Sequence, residues 1–328
     1  MYLRDRVAAV SNRVGEVKNG EALTVVGHGR RFLQVKTAKG AVGWIPERAV
    51  IDEKAYAAFE KLGTDHKDSP VVATGMLRSE MYLHVLPGRE QDRLWLLPGN
   101  TKVDMLERAS VPRYPVQAAA KAKDEKKPSE TLPGEVAPQQ QSLEDWWLVR
   151  DATGRIGWML GSRVDVDVPY TVGQYAEGQR IVGNYKIATV HDADAPGGPA
   201  DEPEYVMALS PVKTGLPYDF DQIRVFTWSL NHHRYETAFR LRGIAGYLPI
   251  TITSEPAKGG GTEPVFRFQI STSPNVALDP ETGIARPIAP RTIAFALRET
   301  MVRRVGPDLD PLPVFHIEKK AKTTARRR

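Results

Sequence analysis

The sequence predicts an all-β protein made of several small domains. Its 328 residues are more than a single small domain needs. The 25 prolines and 27 glycines favour short strands and turns over long helices. Short segments in which apolar and polar residues alternate, as they do in half-buried strands, recur along the chain. An internal repeat further predicts two related β domains, followed by a third one that does not share it.

The repeat has an offset of 114 residues: FLQVKTAKGAVGWI at 32–45 matches WWLVRDATGRIGWM at 146–159. Each copy has the pattern of a strand, a tight turn that contains glycine, and a returning strand. Upstream there is a weaker match, in which Tyr2-Leu3 resembles Tyr82-Leu83. Because the order of elements is the same in both copies, we expect both to fold alike.

Three local features are predicted within the first copy. Gly40 closes the turn and is expected to adopt a positive φ angle. Gly43 lies in the returning strand, where the missing side chain allows a neighbour to approach closely. Pro46-Glu47-Arg48 then interrupts the strand and predicts a short 3-10 turn.

These strands, with a G-x-x-G-W block in each copy, resemble the bacterial SH3 (SH3b) family over residues 2–52 and 72–168. The resemblance implies small, strongly bent five-stranded barrels, here at 1–52 and 71–168. The A-L-Y-D-Y strand of eukaryotic SH3 domains is absent, so binding of proline-rich peptides is not expected. The three-part arrangement is similar to that of SH3-domain lipoproteins of unknown function, which implies export but no activity.

The rest of the chain is divided as follows. Residues 53–70 are predicted to be a helical linker whose helix is capped by Asp52. Residues 113–145, rich in Ala, Lys, Glu, Pro and Gln, predict a disordered insertion in the second barrel. Residues 170–316 predict an all-β sandwich or barrel, and 317–328 a basic disordered tail. The strands expected in this third domain are 180–190, 204–209, 222–230, 235–242, 247–253, 265–272 and 292–298.

Composition excludes several classes of function. The chain has no cysteine, which excludes disulfides and thiolate chemistry. Its net charge is +5, but residues 318–328 alone contribute +5, so the body has no basic nucleic-acid surface and no nucleic-acid partner is expected. No apolar stretch is long enough to span a bilayer. The start at Met1-Tyr2-Leu3 already has a strand pattern, which predicts that an export or lipoprotein segment, a membrane tether, has been removed.

Four tryptophans are the candidate ligand-binding residues. Trp44 and Trp158 follow the G-x-x-G block, where they either cover the barrel end as core, which we favour, or line a ligand groove. Trp146 and Trp147 are adjacent in a strand and therefore face opposite sides. We expect one of the two to be partly exposed. It would lie either against a neighbouring domain, which we favour, or in a binding patch.

Other chemical motifs are weak. His232, His233 and Glu236 lie between two strand patterns, which predicts a solvated turn instead of a metal site. Gly259-Gly260-Gly261 predicts a flexible hairpin tip, because no phosphate-loop order surrounds it. Three groups of acids are assigned to loops and expected to be merely solvated; they are Asp192/Asp194, Asp201/Glu202/Glu204 and Asp219/Asp221. No catalytic, cofactor-binding or metal-ligating residue is predicted.

Three functions remain open. The first is a non-catalytic, exported cell-envelope protein that binds peptidoglycan or a protein partner through its SH3b modules, as the resemblance implies. The second is a wall hydrolase whose 170–316 domain is catalytic; a pocket that brings His191, His232, His233 or His316 to a carboxylate would favour it. The third is a structural scaffold, which burial of both Trp44 and Trp158 would favour.

Overall fold

The protein is all-β, as predicted. The computed structural model describes residues 1–8, 10–113, 142–212, 215–257, 259–273 and 275–313. Within these ranges the chain forms four antiparallel sheets, two α-helices and three short 3-10 helices. Neither helix in the described ranges has the length and apolar character needed to cross a membrane.

The first sheet contains five short strands. They are β1 (Tyr2–Arg4), β2 (Arg13–Glu16), β3 (Leu23–Gly29), β4 (Phe32–Thr37) and β5 (Val42–Pro46). Their order is β2-β1-β5-β4-β3, around a small core of its own formed by Leu3, Val17, Leu33, Val35 and Ile45. The positive φ of Gly40, at 85°, and the 3-10 turn, at Glu47–Ala49, are both confirmed.

Helix α1 (Glu53–Asp65) follows the first sheet. The Asp52 carboxylate accepts a hydrogen bond from the Ala55 N–H at 2.7 Å, so the predicted cap is confirmed. The helix passes through Gly63 and ends at Asp65, whose carboxylate forms an ion pair with Lys61 one turn earlier. Phe59 is only 1% exposed and packs edge-on against Trp95, with ring centroids 5.4 Å apart.

Trp95 also joins the first sheet to the second. Its ring lies against Gly20, and the neighbouring Leu96 N–H donates to the Asn19 side-chain oxygen at 3.1 Å. Trp95 has a φ of 45°, an unfavourable conformation for a bulky residue. The strand register shifts between Leu94 and Leu96, and this bulge at Trp95 turns the ring toward α1 and the first sheet.

The second sheet has seven strands. They are β6 (Ala73–Leu77), β7 (Met81–His84), β8 (Arg93–Leu97), β9 (Lys102–Pro112), β10 (Leu143–Asp151), β11 (Ile156–Leu160) and β12 (Val164–Val166). Their order is β12-β6-β9-β10-β11-β7-β8, so β9-β10-β11-β7-β8 are arranged like β3-β4-β5-β1-β2 of the first sheet. A Cβ on Gly43 would lie 2.8 Å from Leu3 Cβ, and one on Gly157 would lie 2.6 Å from Leu83 Cβ. The close approach predicted at Gly43 is thus confirmed.

The insertion is shorter than predicted. Strand β10 begins at Leu143, and its first three residues pair with Pro112, Val111 and Ser110. A disordered assignment for residues 143–145 was therefore wrong. Local composition could not reveal the reason, which is that Glu144 and Asp145 pair with arginines distant in sequence. Residues 114–141 and the predicted tail at 317–328 lie outside the described residues.

The third sheet also has seven strands. They are β13 (Arg180–Asp192), β14 (Ala200–Ser210), β15 (Phe220–Ser229), β16 (Arg234–Pro256), β17 (Thr262–Ser271), β20 (Pro290–Arg298) and β21 (Met301–Val305), hydrogen-bonded in that order. Between β17 and β20, the strands β18 (Val276–Leu278) and β19 (Ala285–Pro287) form a two-stranded sheet. A second helix, α2 (Tyr170–Gly173), precedes the third sheet; the remaining 3-10 helices are Gly161–Arg163 and Gln174–Ala176.

Each predicted strand of the third domain lies within or largely within a strand, but one predicted break is absent. Residues 235–242 and 247–253 belong to the single strand β16. Gly246 lies in this continuous strand, where the Phe220 ring occupies the space that a side chain would need. Strands β18, β19 and β21 were not predicted.

The second and third sheets share one buried apolar cluster, which includes Trp147 and Val149 on one side and Val182 and Ile223 on the other. A charged cluster lies at the same junction. Arg108, with a side chain 1% exposed, places Nη1 2.5 Å from Asp219 Oδ1 and Nη2 2.9 Å from Asp145 Oδ1.

Further contacts complete the charged cluster. Arg180 lies 2.7 Å from Asp145 Oδ2, and the Gly215 N–H donates to Asp145 Oδ1 at 3.2 Å. The Leu248 N–H donates to the Asp219 carboxylate at 2.8 Å. Burial by itself raises the pKa of Asp145, but Arg108 and Arg180 outweigh it and hold the pKa below its usual value. At Asp219 burial outweighs Arg108 and raises the pKa. The two sheets are therefore joined by a buried charge cluster in which Asp145 is the more fully compensated carboxylate.

Replacing Arg108 with methionine should leave two buried carboxylates without their shared cation. We expect the free energy of unfolding to fall by about 3–5 kcal/mol, measured by urea denaturation. The control is Arg78→Met, since the Arg78–Asp165 pair is also 2.5 Å long but its side chains are 60% and 53% exposed. Its effect should be within about 1 kcal/mol. Equal losses in the two variants would contradict a special role for the buried cluster.

Candidate functional site

The outward side of the first sheet is defined by strand alternation. Leu33, Val35 and Ile45 point into the core, so their strand neighbours point outward. The outward set consists of Arg4, Phe32, Gln34, Val42 and Trp44, which we call the first outer face. Trp44 is paired with Arg4 on one side and Gln34 on the other.

This face is partly open, with Arg4 and Val42 exposed and Phe32, Gln34 and Trp44 half-buried. Val42 is 44% exposed, and Trp44 is half-buried with its ring against Gly29 of β3. Tyr2 lies beside the face, 46% exposed, with the Arg13 guanidinium 3.9 Å above its ring. The face thus combines aromatic and cationic groups in contact with solvent.

The corresponding positions of the second sheet form the second outer face, which consists of His84, Trp146, Leu148, Ile156 and Trp158. Trp158 is paired with His84 and Leu148, as Trp44 is with Arg4 and Gln34. In contrast to the first face, this one is buried: Trp158 is 4% exposed and Trp146 2%.

Two other parts of the chain cover the second outer face. Leu62 of α1 packs against its apolar cluster, and Ile284, from the loop between β18 and β19, is part of that cluster. Arg286 of the β18–β19 hairpin also forms an ion pair of 3.3 Å with Glu107 of β9. The outer positions of the two sheets therefore have the same strand arrangement and opposite exposures.

Trp147 lies on the other side of β10 and is 3% exposed. It lines a cleft of about 440 Å³ between the second and third sheets, together with Arg180 and Val182. The expectation that Trp146 or Trp147 is partly exposed was therefore wrong. Both sides of β10 are covered, by α1 and the hairpin on one side and by the third sheet on the other.

His84 was not singled out in the sequence, although the similarity of Tyr82-Leu83 to Tyr2-Leu3 places it at the position of Arg4. It is 8% exposed and packs edge-on against Trp146 at a centroid distance of 5.1 Å. Burial, assisted by nearby Arg93, lowers the pKa of His84, so the ring is neutral at pH 7. The second outer face thus has a neutral group where the first has a cation.

The two adjacent histidines of the third domain diverge. His232 Nδ1 lies 2.8 Å from Glu236 Oε1, whereas His233 Nδ1 lies 2.8 Å from Asp192 Oδ2. Ser229 Oγ is 3.4 Å from His232, but at the same Nδ1 atom that contacts Glu236. A Ser-His-acid relay needs the serine and the acid on opposite ring nitrogens, so these residues do not form one. His191 meets Asp201 in an exposed pair, and His316 lies outside the described residues.

The acids assigned to loops are not all solvated. Glu204 lies in strand β14 and is 4% exposed; Asp192 ends β13 and is 2% exposed; Asp219 precedes β15 and is 7% exposed. Asp192 accepts hydrogen bonds from the Trp228 indole at 2.7 Å and from His233. The loop interpretation was wrong here because distant partners satisfy Asp192 and Asp219.

Glu204 is the exception among these buried acids. Its carboxylate accepts a hydrogen bond from the Trp228 N–H at 3.2 Å, lines a cavity in the third domain and has no cationic partner in the described ranges. Burial raises the pKa of Glu204 to about 6.

The hairpin tip at Gly259-Gly260-Gly261 is confirmed, since Pro256 and Thr262 pair across it.

Within the described residues, no group of three or more potential ligands could hold a metal ion. No protein-family model matches the chain, and no curated protein matches it significantly. The candidate site is therefore identified from geometry alone, and it is the open first outer face with Trp44 at its centre.

The two equivalent tryptophans should differ in their importance for stability. Trp158→Ala removes a buried ring and should lower the free energy of unfolding by about 3–5 kcal/mol. Trp44→Ala removes a half-buried ring, and the loss should stay below about 2 kcal/mol. Urea denaturation of both variants checks this, and a larger loss for Trp44→Ala would show that the first outer face is core.

Glu204→Gln should stabilise the protein in a pH-dependent manner. A folded-state pKa of about 6, above the usual value of 4.5, means that the stabilising contribution of the protonated acid is complete below pH 4.5 and is lost as the pH rises through 6. At pH 7.5 the free energy of unfolding of the variant should be about 2 kcal/mol higher than that of the unmodified protein. At pH 4 the two free energies of unfolding should be similar. Denaturation curves at both pH values measure the difference; a constant offset would contradict the raised pKa.

Proposed function

We propose that this chain is a non-catalytic binding protein of the bacterial cell envelope, in which the first outer face engages peptidoglycan. In this proposal the first and second sheets are two copies of an SH3b-like module. Only the first copy binds an external ligand, while the second is the structural centre of the chain.

The equal strand order of the two sheets supports the relation between the modules. Gly43 and Gly157 make the same close contact, with Leu3 and Leu83 respectively. The two 3-10 turns, Glu47–Ala49 and Gly161–Arg163, follow the equivalent strands. Placement in the envelope is taken from the resemblance to SH3b proteins.

The main support for the proposal is that other described parts of the chain cover the second outer face but not the first. The second face has Leu148 where the first has Gln34, and His84 where the first has Arg4. At these two positions the uncovered first face has a polar and a cationic side chain, whereas the covered second face has an apolar and a neutral one. The first face therefore has the composition of a surface that contacts water and ligands, with an aromatic centre.

Charge favours an anionic ligand. Residues 1–52 contain nine Lys or Arg and five Asp or Glu, a net charge of +4, although all residues before the basic 318–328 segment sum to zero. Positive charge is thus concentrated in the module that carries the open face. Peptidoglycan is rich in carboxylates, so charge attraction and contacts with Trp44 would act together.

The two alternatives have less support. A hydrolase in residues 170–316 would need a catalytic group, and Ser229, His232 and Glu236 lack the geometry of a relay. A scaffold role fits the second module, because Trp146 and Trp158 are both buried. It does not account for the open face around Trp44.

The test is co-sedimentation of the full chain with purified peptidoglycan sacculi at low and high salt. We expect the unmodified chain to pellet at both salt concentrations and Trp44→Ala to pellet at least tenfold less, since a central aromatic anchor is worth about 2 kcal/mol or more. The matched control is Tyr170→Ala, which removes an aromatic side chain that is 85% exposed elsewhere. It should pellet like the unmodified chain.

Four outcomes would count against the proposal. Equal pelleting of Trp44→Ala would remove the first outer face from the interaction. Pelleting that disappears in high salt would reduce binding to charge attraction alone. Pelleting that disappears in a chain shortened to residues 1–317 would assign it to the basic end. No pelleting of the unmodified chain would exclude peptidoglycan and favour a protein partner.

A further inference from the structure

A second cavity, of about 540 Å³, opens at one end of the third sheet. Its apolar walls include Ala188 and Val190 of β13 and Leu297 of β20. The turns that follow β15 and β20 form its rim. The volume lies in the range of sites for small organic molecules, and the cavity is distant in the fold from the first outer face.

Glu204 projects into this cavity. It has the same strand parity as Val206 and Ala208, which face the core of the third domain, so its side chain also points inward. The carboxylate lines the cavity wall, and its one hydrogen bond within the described residues comes from the Trp228 N–H. One oxygen of a residue that is 96% buried is thus left for a ligand.

The charged residues in the described lining of the cavity are all acidic. Its lining includes Glu204, Glu236 and Glu299, and none of the described lining residues is Lys or Arg. Glu236 is compensated from outside the cavity by His232 at 2.8 Å and Arg234 at 3.3 Å. Glu204 has no such partner, so its charge acts on whatever enters the cavity.

We propose that this cavity binds an organic ammonium ion with a small apolar body. The ammonium group donates to the Glu204 carboxylate, and the apolar body packs against Ala188, Val190 and Leu297. A charge-assisted hydrogen bond to a buried carboxylate is the strongest polar contact available here. A metal ion is a poorer fit, since the described residues supply no group of three ligands.

The first experiment is isothermal titration of the full chain at pH 7.5 with three probes of similar shape. They are phenethylamine as the cation, 2-phenylethanol as the neutral analogue and phenylacetate as the anion. We expect saturable binding of phenethylamine, at least tenfold weaker binding of 2-phenylethanol, and no binding of phenylacetate. Saturable binding of phenylacetate, or equal binding of all three, would overturn the proposal.

Two variants locate the site. Glu204→Gln keeps the shape of the side chain and should weaken phenethylamine at least tenfold while leaving 2-phenylethanol unchanged. Ala188→Phe should fill the cavity and abolish binding of both. The matched control is Glu255→Gln, a solvent-accessible glutamate on β16 that pairs with Arg267, and it should change nothing. Absence of phenethylamine binding to the unmodified chain, or binding unaffected by Glu204→Gln, would refute the assignment.

Discussion

The buried guanidinium of Arg108 is the interaction on which the arrangement of the second and third sheets depends. A charge that is 1% exposed is tolerated only where opposite charges neutralise it. Asp145 comes from β10 and Asp219 from the segment before β15, so neutralisation requires the two sheets to be in contact. The same cluster orders the Gly215 backbone and the Leu248 N–H. Apolar burial alone is non-directional, whereas these contacts specify one geometry.

This junction determines which surfaces remain open. With the third sheet on one side of β10 and α1 on the other, Trp147 and Trp146 are both enclosed. The first sheet has a separate core and meets the second through Trp95, Gly20 and Asn19. Its outer face therefore has no cover in the described ranges. The second sheet is thus enclosed on both sides of β10, whereas the first sheet keeps a partly open surface with aromatic and basic side chains.

Local structure could be predicted from the sequence, and long-range contacts could not. Strand alternation and the glycines at Gly40 and Gly43 reflect backbone constraints that act within a few residues. The strand character of residues 143–145 depends on arginines far away in the chain, and the exposure of Trp146 depends on Leu62 and Ile284. The open face of Trp44 could likewise be recognised only after the covered face of Trp158 was seen. Motif matching placed the tryptophans in equivalent positions but gave no information on what lies above them.

The buried charges at Arg108 and Glu204 differ in whether the protein itself supplies an opposite charge. Arg108 faces two carboxylates, so its burial is compensated within the protein and stabilises the sheet junction. Glu204 faces a cavity without a compensating cation, and its ionised form destabilises the folded state near neutral pH. A glutamine or leucine would fill that place in β14 with less loss of stability. A buried acid without a compensating cation, at the wall of a cavity, is where a binding role is expected. The two surfaces proposed for recognition are therefore separate, an aromatic face on the first sheet and an acidic cavity in the third.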